Sequence, residues 1–321
     1  MNTLKPPIGQ ERLKNFFYGL KKDNRFLSAY VFEGASGAGK ETMARYFASF
    51  ILCESNPPCL KCNACLTIYA RTNPDVIMVS NDDKAEISVA KIRELVNDVF
   101  IRPRNGGKKI FIIKNAHLMN ESAQNALLKV IEEPPEYAVF MLLCENKSKI
   151  LPTILSRCTH ILVPPLSKND LFEMSGSKNE FLAAYSMGNP GRYLSLLEDG
   201  EFPALRSEFF EKITSLTSKN RADIYILCDF FEKNKDNKDR LFEMLILFFG
   251  DILLMKNFEE KRIVNGDKTE ILKNFNNKTT KAAVLNSLEC AAKLWREIGK
   301  YGAYPIYVNT MFIKLWEEIN G

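Results

Sequence analysis

Along the first half of the chain, short apolar runs alternate with stretches whose apolar residues recur at helical spacing. The runs at 28–32, 76–79, 110–113, 139–143 and 161–163 predict strands. Helices are predicted between them over 40–53, 88–100, 121–132 and about 150–155. Strand and helix alternating at this spacing predict a parallel sheet with helices packed on its faces. Pro164 and Pro165 then stop the last strand.

From about residue 166 no apolar run reads as a strand. Short helices are predicted over 169–176 and 180–187, and Gly188-Asn-Pro-Gly191 predicts a turn or a helix entry. Residues 201–321 are rich in Phe, Leu, Lys and Glu at helical spacing, as in 239–256, and predict a helical bundle with loops near 234–239 and 265–267. The aromatic positions Phe242, Phe248, Phe249, Trp295, Tyr304, Tyr307, Phe312 and Trp316 supply its core or an interface. The chain of 321 residues therefore divides at about 1–165, 166–200 and 201–321.

Composition changes this picture little. Hydrophobic residues make up 46% and charged residues 26%, the balance of a soluble globular protein. No apolar run reaches the roughly 20 residues of a membrane span. The start, NTLKPPIGQE, lacks the basic-then-apolar pattern of a secretion leader, so a cytoplasmic protein without membrane contact is expected. The net charge of +5 is mild, and no block of like charge occurs. A chain so balanced is expected to bind DNA weakly when alone.

Two motifs carry chemistry. The first is Gly34-Ala-Ser-Gly37-Ala-Gly39-Lys40, between a strand and a helix. This is the core of a phosphate loop: its glycines let backbone N–H groups curl around phosphate oxygens at a helix N-terminus, and Lys40 reaches the terminal phosphates. The hydroxyl that should follow to bind Mg²⁺ is replaced by Glu41, and Thr42 comes one position late, about 100° around the helix. The strand at 110–113 should end in metal-binding and water-polarising carboxylates, but ends in Lys114 and Asn115. Two losses at metal positions argue against ATP hydrolysis and leave nucleotide binding open. His117 and His160, the only histidines, suggest a packing or capping residue and a strand-edge residue.

The second motif is Cys53-x₅-Cys59-x₂-Cys62-x₂-Cys65. Four thiolates this close can close a tetrahedral shell around a structural Zn²⁺. An iron–sulfur cluster and a metal-free loop are the competing readings. The iron–sulfur spacing normally has its fourth cysteine downstream, not upstream as here.

With these motifs the chain resembles the bacterial clamp-loader subunits of the AAA+ class. The matching segments are Ile8-Gly-Gln-Glu11, the loop at 34–40, Asn125-Ala-Leu-Leu-Lys-Val-Ile-Glu-Glu-Pro-Pro135, Ser156-Arg157-Cys158 and Gly188-Asn-Pro-Gly-Arg192. The cysteine insertion, followed by Asn73-Pro-Asp75, fits the same family, so the resemblance spans about 8–195. It implies an α/β AAA+ phosphate-loop domain over 1–165, a small helical lid over 166–200 and an all-α collar over 201–321. It also implies a heteropentamer with gamma or tau motor subunits and a delta subunit, loading the sliding clamp onto primed DNA in replication.

The family has motor members that hydrolyse ATP and a relative whose site has degraded. Glu41, Lys114 and Asn115 place this chain with the second. The implied nucleotide remnant is Gly34, Gly37, Gly39, Lys40, Thr42 and Arg192, the last at the position of a γ-phosphate sensor or paired across the domain junction. Arg157 is implied as an arginine finger reaching the ATP site of a neighbouring subunit, where such a residue is worth about 10³–10⁵ in rate. Its residue type alone equally fits a structural ion pair. Two other functions stand beside this one: an active gamma-type ATPase and a free-standing zinc-stabilised DNA-binding protein.

Overall fold

A computed structural model describes residues 4–81, 86–105, 107–297 and 304–321. These form two compact units, the first of residues 1–178 with 186–194, the second of 179–185 with 195–321.

The first unit is built on five parallel strands: β1 (Ala29–Glu33), β2 (Val76–Val79), β3 (Lys109–Ile113), β4 (Ala138–Cys144) and β5 (Thr159–Leu162), in the order β2-β3-β4-β1-β5. The strands other than β5, which lies at an edge, alternate between two cores, as the two-residue period of a pleated strand requires. Val31, Phe111, Ile113, Phe140 and Leu142 face one of them. It is shared with α4 (Val89–Val99), α5 (Glu121–Glu132) and α6 (Pro152–Leu155). Tyr30, Phe32, Ile110, Ile112 and Met141 face the other. That one is shared with α1 (Glu11–Lys22), α2 (Lys40–Leu52) and α3 (Asn63–Ala70). The expected α/β architecture with a parallel sheet is the one adopted.

Three local expectations shift. The fifth strand starts at Thr159, before its apolar run, because its ladder with β1 opens at the pair Tyr30–Thr159. The helix expected over 150–155 shrinks to the four residues of α6 behind a 3₁₀ turn at Lys147–Lys149. Helices α1 and α3 fall outside the elements expected from the pattern. Only Phe17 of α1 is fully buried, and α3 lies inside the cysteine insertion. After the sheet come α7 (Lys168–Ser175), opened by a Ser167–Asp170 capping box, and the start of α9 (Pro190–Glu198).

The second unit is all helical. It comprises α8 (Glu180–Tyr185), the end of α9, α10 (Phe202–Lys212), α11 (Ile224–Lys233), α12 (Lys238–Lys256), α13 (Thr269–Lys278), α14 (Lys281–Glu297) and α15 (Tyr304–Asn320). Phe242, Phe248, Phe249 and Phe312 are fully buried. Edge-to-face ring pairs bind this core, among them Phe231–Phe312 at 4.8 Å and Phe248–Phe275 at 4.9 Å. Trp295, Tyr304 and Trp316 are half-buried and tie their polar ends to Asp239, the Phe231 carbonyl and the Ser218 carbonyl. Arg206 stacks 3.5 Å from the Phe181 ring centre while its guanidinium holds Asp267 with two bonds of 2.7 Å. Among the described residues no helix is long and apolar enough to cross a membrane.

Candidate functional site

The phosphate loop leaves β1 and enters α2. Gly37 and Gly39 take φ of +77° and +87°, values that side chains disfavour. A Cβ at Gly37 would also lie 2.7 Å from the Asn189 side chain. The Asn189 amide donates to the Ser36 carbonyl, and the Gly191 N–H donates to the Gly37 carbonyl at 3.0 Å. The 188–192 turn thus seats on the loop through carbonyls and leaves the loop's N–H groups alone. Lys40 is 9% exposed and donates to the carbonyls of Gly34 and Ala35, both at 2.8 Å. Burial pushes its ammonium below the usual lysine range, against the pull of Glu145.

The positions that would hold a magnesium ion hold a salt bridge instead. Lys114, at the end of β3, places its Nζ 2.8 Å from Glu41 Oε2. The other carboxylate oxygen receives Arg71 at 2.8 Å and Arg45 at 3.4 Å. Burial alone would raise the Glu41 carboxyl. The Lys114 hydrogen bond and the charges of Lys114, Arg45 and Arg71 outweigh it and hold the group below the usual carboxylate range. Magnesium demands oxygen ligands in a near-octahedral shell. A carboxylate neutralised by three cations does not supply one, so the residues present do not fit this ion. Arg45 was findable from sequence, four residues after Glu41 on one helix. Arg71 gave no signal, because it arrives from the end of α3.

Two cavities flank the loop. One of about 360 Å³ is lined by Ser36, Lys40, Glu41, Lys114 and Asn115 among others. The second, of about 400 Å³, is largely apolar and includes Pro6, Pro7, Ile8, Leu166, Pro190 and Leu194. Thr42 lines this second cavity, away from Glu41. Arg192 lines neither; its backbone N–H donates to Asn189 Oδ1 at 3.0 Å. His160 pairs with Glu33 at 2.7 Å, and the Glu145 N–H donates to His117 Nδ1 at 3.4 Å.

Arg157 lies at the opposite end of the strands from the phosphate loop. The loop begins past Glu33, which is level with Leu162, while Arg157 precedes Thr159, which is level with Tyr30. Three strand steps of about 3.3 Å put roughly 10 Å between those levels before any loop is added. Arg157 therefore cannot serve its own phosphate loop. Its guanidinium meets Glu132 of α5 at 2.9 Å and the Thr153 carbonyl at 2.9 Å, and it stays 41% exposed.

The four clustered cysteines do meet. Their sulfurs all lie within 4.8 Å of one another, with Cys53 at 3.7 Å from Cys59 and 3.8 Å from Cys62. A tetrahedron of Zn–S bonds near 2.3 Å has edges of about 3.8 Å, so one zinc ion fits this set. Cys53 ends α2 and Cys62 caps α3, which carries Cys65. Backbone N–H groups of Lys61 and Cys62 lower the Cys59 thiol to about 6, while burial raises the thiols of Cys62 and Cys65. Lys21 of α1 donates to the Cys53 carbonyl at 2.7 Å.

Comparison with known proteins adds the family context. The family model described as "DNA polymerase III, delta subunit" matches residues 9–167, and a second model, for the C-terminal part of that delta protein, matches 201–300. The DNA polymerase III subunit delta' of Bacillus subtilis is 28% identical over 90% of this chain and 89% of its own length. The subunit tau of the same organism is 30% identical over 78% of this chain, which spans 49% of it. A solved gamma subunit-related protein of Thermotoga maritima aligns over 97% of this chain and 99% of its own at 16% identity, with a TM-score of 0.43, too loose a likeness to argue from.

Proposed function

The chain belongs to the DNA polymerase III delta-subunit family, and on that premise we propose that it is a clamp-loader subunit of the delta-prime kind that does not hydrolyse ATP. It assembles with gamma or tau motor subunits and a delta subunit in a heteropentamer. There it offers Arg157 to the ATP bound by a neighbour while the complex loads the sliding clamp onto primed DNA. The observation that carries the non-hydrolysing part is the 2.8 Å pair of Glu41 and Lys114, at the two positions where a hydrolase binds its metal. The trans role is supported by the place of Arg157 at the strand ends opposite its own loop, with its side chain 41% exposed and its acidic partner Glu132 about equally exposed.

Cys53, Cys59, Cys62 and Cys65 hold one structural Zn²⁺ in this reading, a closed shell with no open position for chemistry. The zinc would fix the end of α2 to the start of α3.

The test is ATP turnover by the purified chain with Mg²⁺. None is expected. Turnover that Lys40→Ala abolishes would restore the motor reading. Tight, salt-sensitive DNA binding by the isolated chain would instead favour a free-standing DNA-binding protein.

A further inference from the structure

Glu41 and Lys114 replace, at both ends, the groups that would share a magnesium ion. A neutral hydroxyl has become an anion, and an anion has become a cation. Together the two changes add one positive charge, and the side chains meet as an ion pair at 2.8 Å. What remains between loop and β3 is an ammonium where a dication would sit. The surroundings stay electropositive: one carboxylate is shared by Lys114, Arg71 and Arg45, with Lys40 on the loop itself.

The rest of the loop keeps the means to hold phosphate. α2 has no side-chain cap, and the amides of Gly37, Gly39, Lys40, Glu41 and Thr42 have no acceptor among the described residues. Lys40 spends two of its three donors on loop carbonyls, as a buried ammonium framing an anion site can. The apolar cavity of about 400 Å³ beside it suits a flat base.

We infer that the Lys114 ammonium, held by Glu41, is a built-in replacement for the magnesium ion, and that the loop takes a nucleoside di- or triphosphate as the metal-free anion. The inference rests on the loop's being a nucleotide site and is independent of Arg157. Magnesium then competes with the protein for the nucleotide instead of accompanying it. No bond is made or broken, so the ligand is held and not consumed.

The experiment is calorimetric titration of the full chain with ADP, ATP and pyrophosphate, in magnesium-free buffer without chelator and in excess Mg²⁺. Nucleotide binding in magnesium-free buffer that weakens at least tenfold in Mg²⁺ is the expected result. Binding that requires Mg²⁺ overturns the inference. So does the absence of binding in both buffers, which would leave the proposed trans role of Arg157 untouched. Pyrophosphate binding as tight as ADP would overturn the base's share in the site. The double variant Glu41→Thr/Lys114→Asp should reverse the preference, binding more tightly in Mg²⁺ than in magnesium-free buffer. Its folding is checked by thermal melting and zinc content. If a folded double variant keeps the wild-type preference for magnesium-free buffer, the pair is not the replacement.

Discussion

Glu41 draws partners from three elements: its own helix, the end of α3 and the end of β3. With its side chain 19% exposed, the carboxylate is screened by water less than a surface group would be. Glu41→Gln is expected to cost about 1–3 kcal/mol at neutral pH, the range for hydrogen bonds to charged groups. The pH sign follows from the lowered carboxyl. Its stabilisation is present above the unfolded-state value near 4.5 and is lost as pH falls through the lower folded value. Melting curves of wild type and Glu41→Gln should differ at pH 7 and converge only once the pH has fallen below the lowered folded-state value. A constant gap would mean that packing, not charge, holds the residue. Arg157 is the opposite case. Its pair with Glu132 has both side chains about two-fifths exposed and is worth at most about 1 kcal/mol. Arg157→Ala should leave the melting temperature nearly unchanged, so a loss of activity in that variant would not be a loss of fold. At this scale the sequence showed each departure from the metal site but not their relation. Glu41 and Lys114 are far apart along the chain, and only the order β3-β4-β1 brings β3 close to the loop after β1. Read singly they are two losses; together they are one ion pair.

Among the elements, α3 depends most on something outside itself. Eight residues are too few to hold a helix in water. Two of the four clustered cysteines lie at its start, and Arg71 at its end reaches Glu41. Elemental analysis should find one zinc and no iron per chain. Removing it with a chelator should expose the amides of 63–70 to hydrogen exchange and lower the melting temperature. An unchanged exchange pattern after metal loss would show that α3 stands without it. The helices of the doubly covered sheet were legible because their apolar faces are wide. α1 carries Leu13, Phe17 and Leu20 at helical spacing, so its period was legible; only its start, after Gln10 in a left-handed turn without a side-chain cap, gave no signal. α3 was hidden because sulfur spacing, not periodicity, shapes it. β5 lies at the sheet edge, where exposed Leu162 and His160 alternate with buried Ile161 and blur the strand's start.

For the whole molecule, the net charge of +5 is mild and no block of like charge marks a DNA-binding surface in the sequence. A sheet followed by helices was readable from the change of apolar period near residue 166. The function was not readable from period or composition at all. The proposed function came from short motifs, and above all from Ser156-Arg157-Cys158, whose proposed use depends on a neighbouring subunit. The most direct test is therefore made in the assembly. The complex is reconstituted with gamma or tau and delta, and ATP turnover with clamp and primed DNA is compared for wild type, Arg157→Ala and Arg157→Lys. Hydrolysis at the site beside this subunit should fall by about 10³ or more in both variants, because an ammonium does not reproduce a planar guanidinium. Turnover unchanged in an intact complex carrying Arg157→Ala would contradict the account.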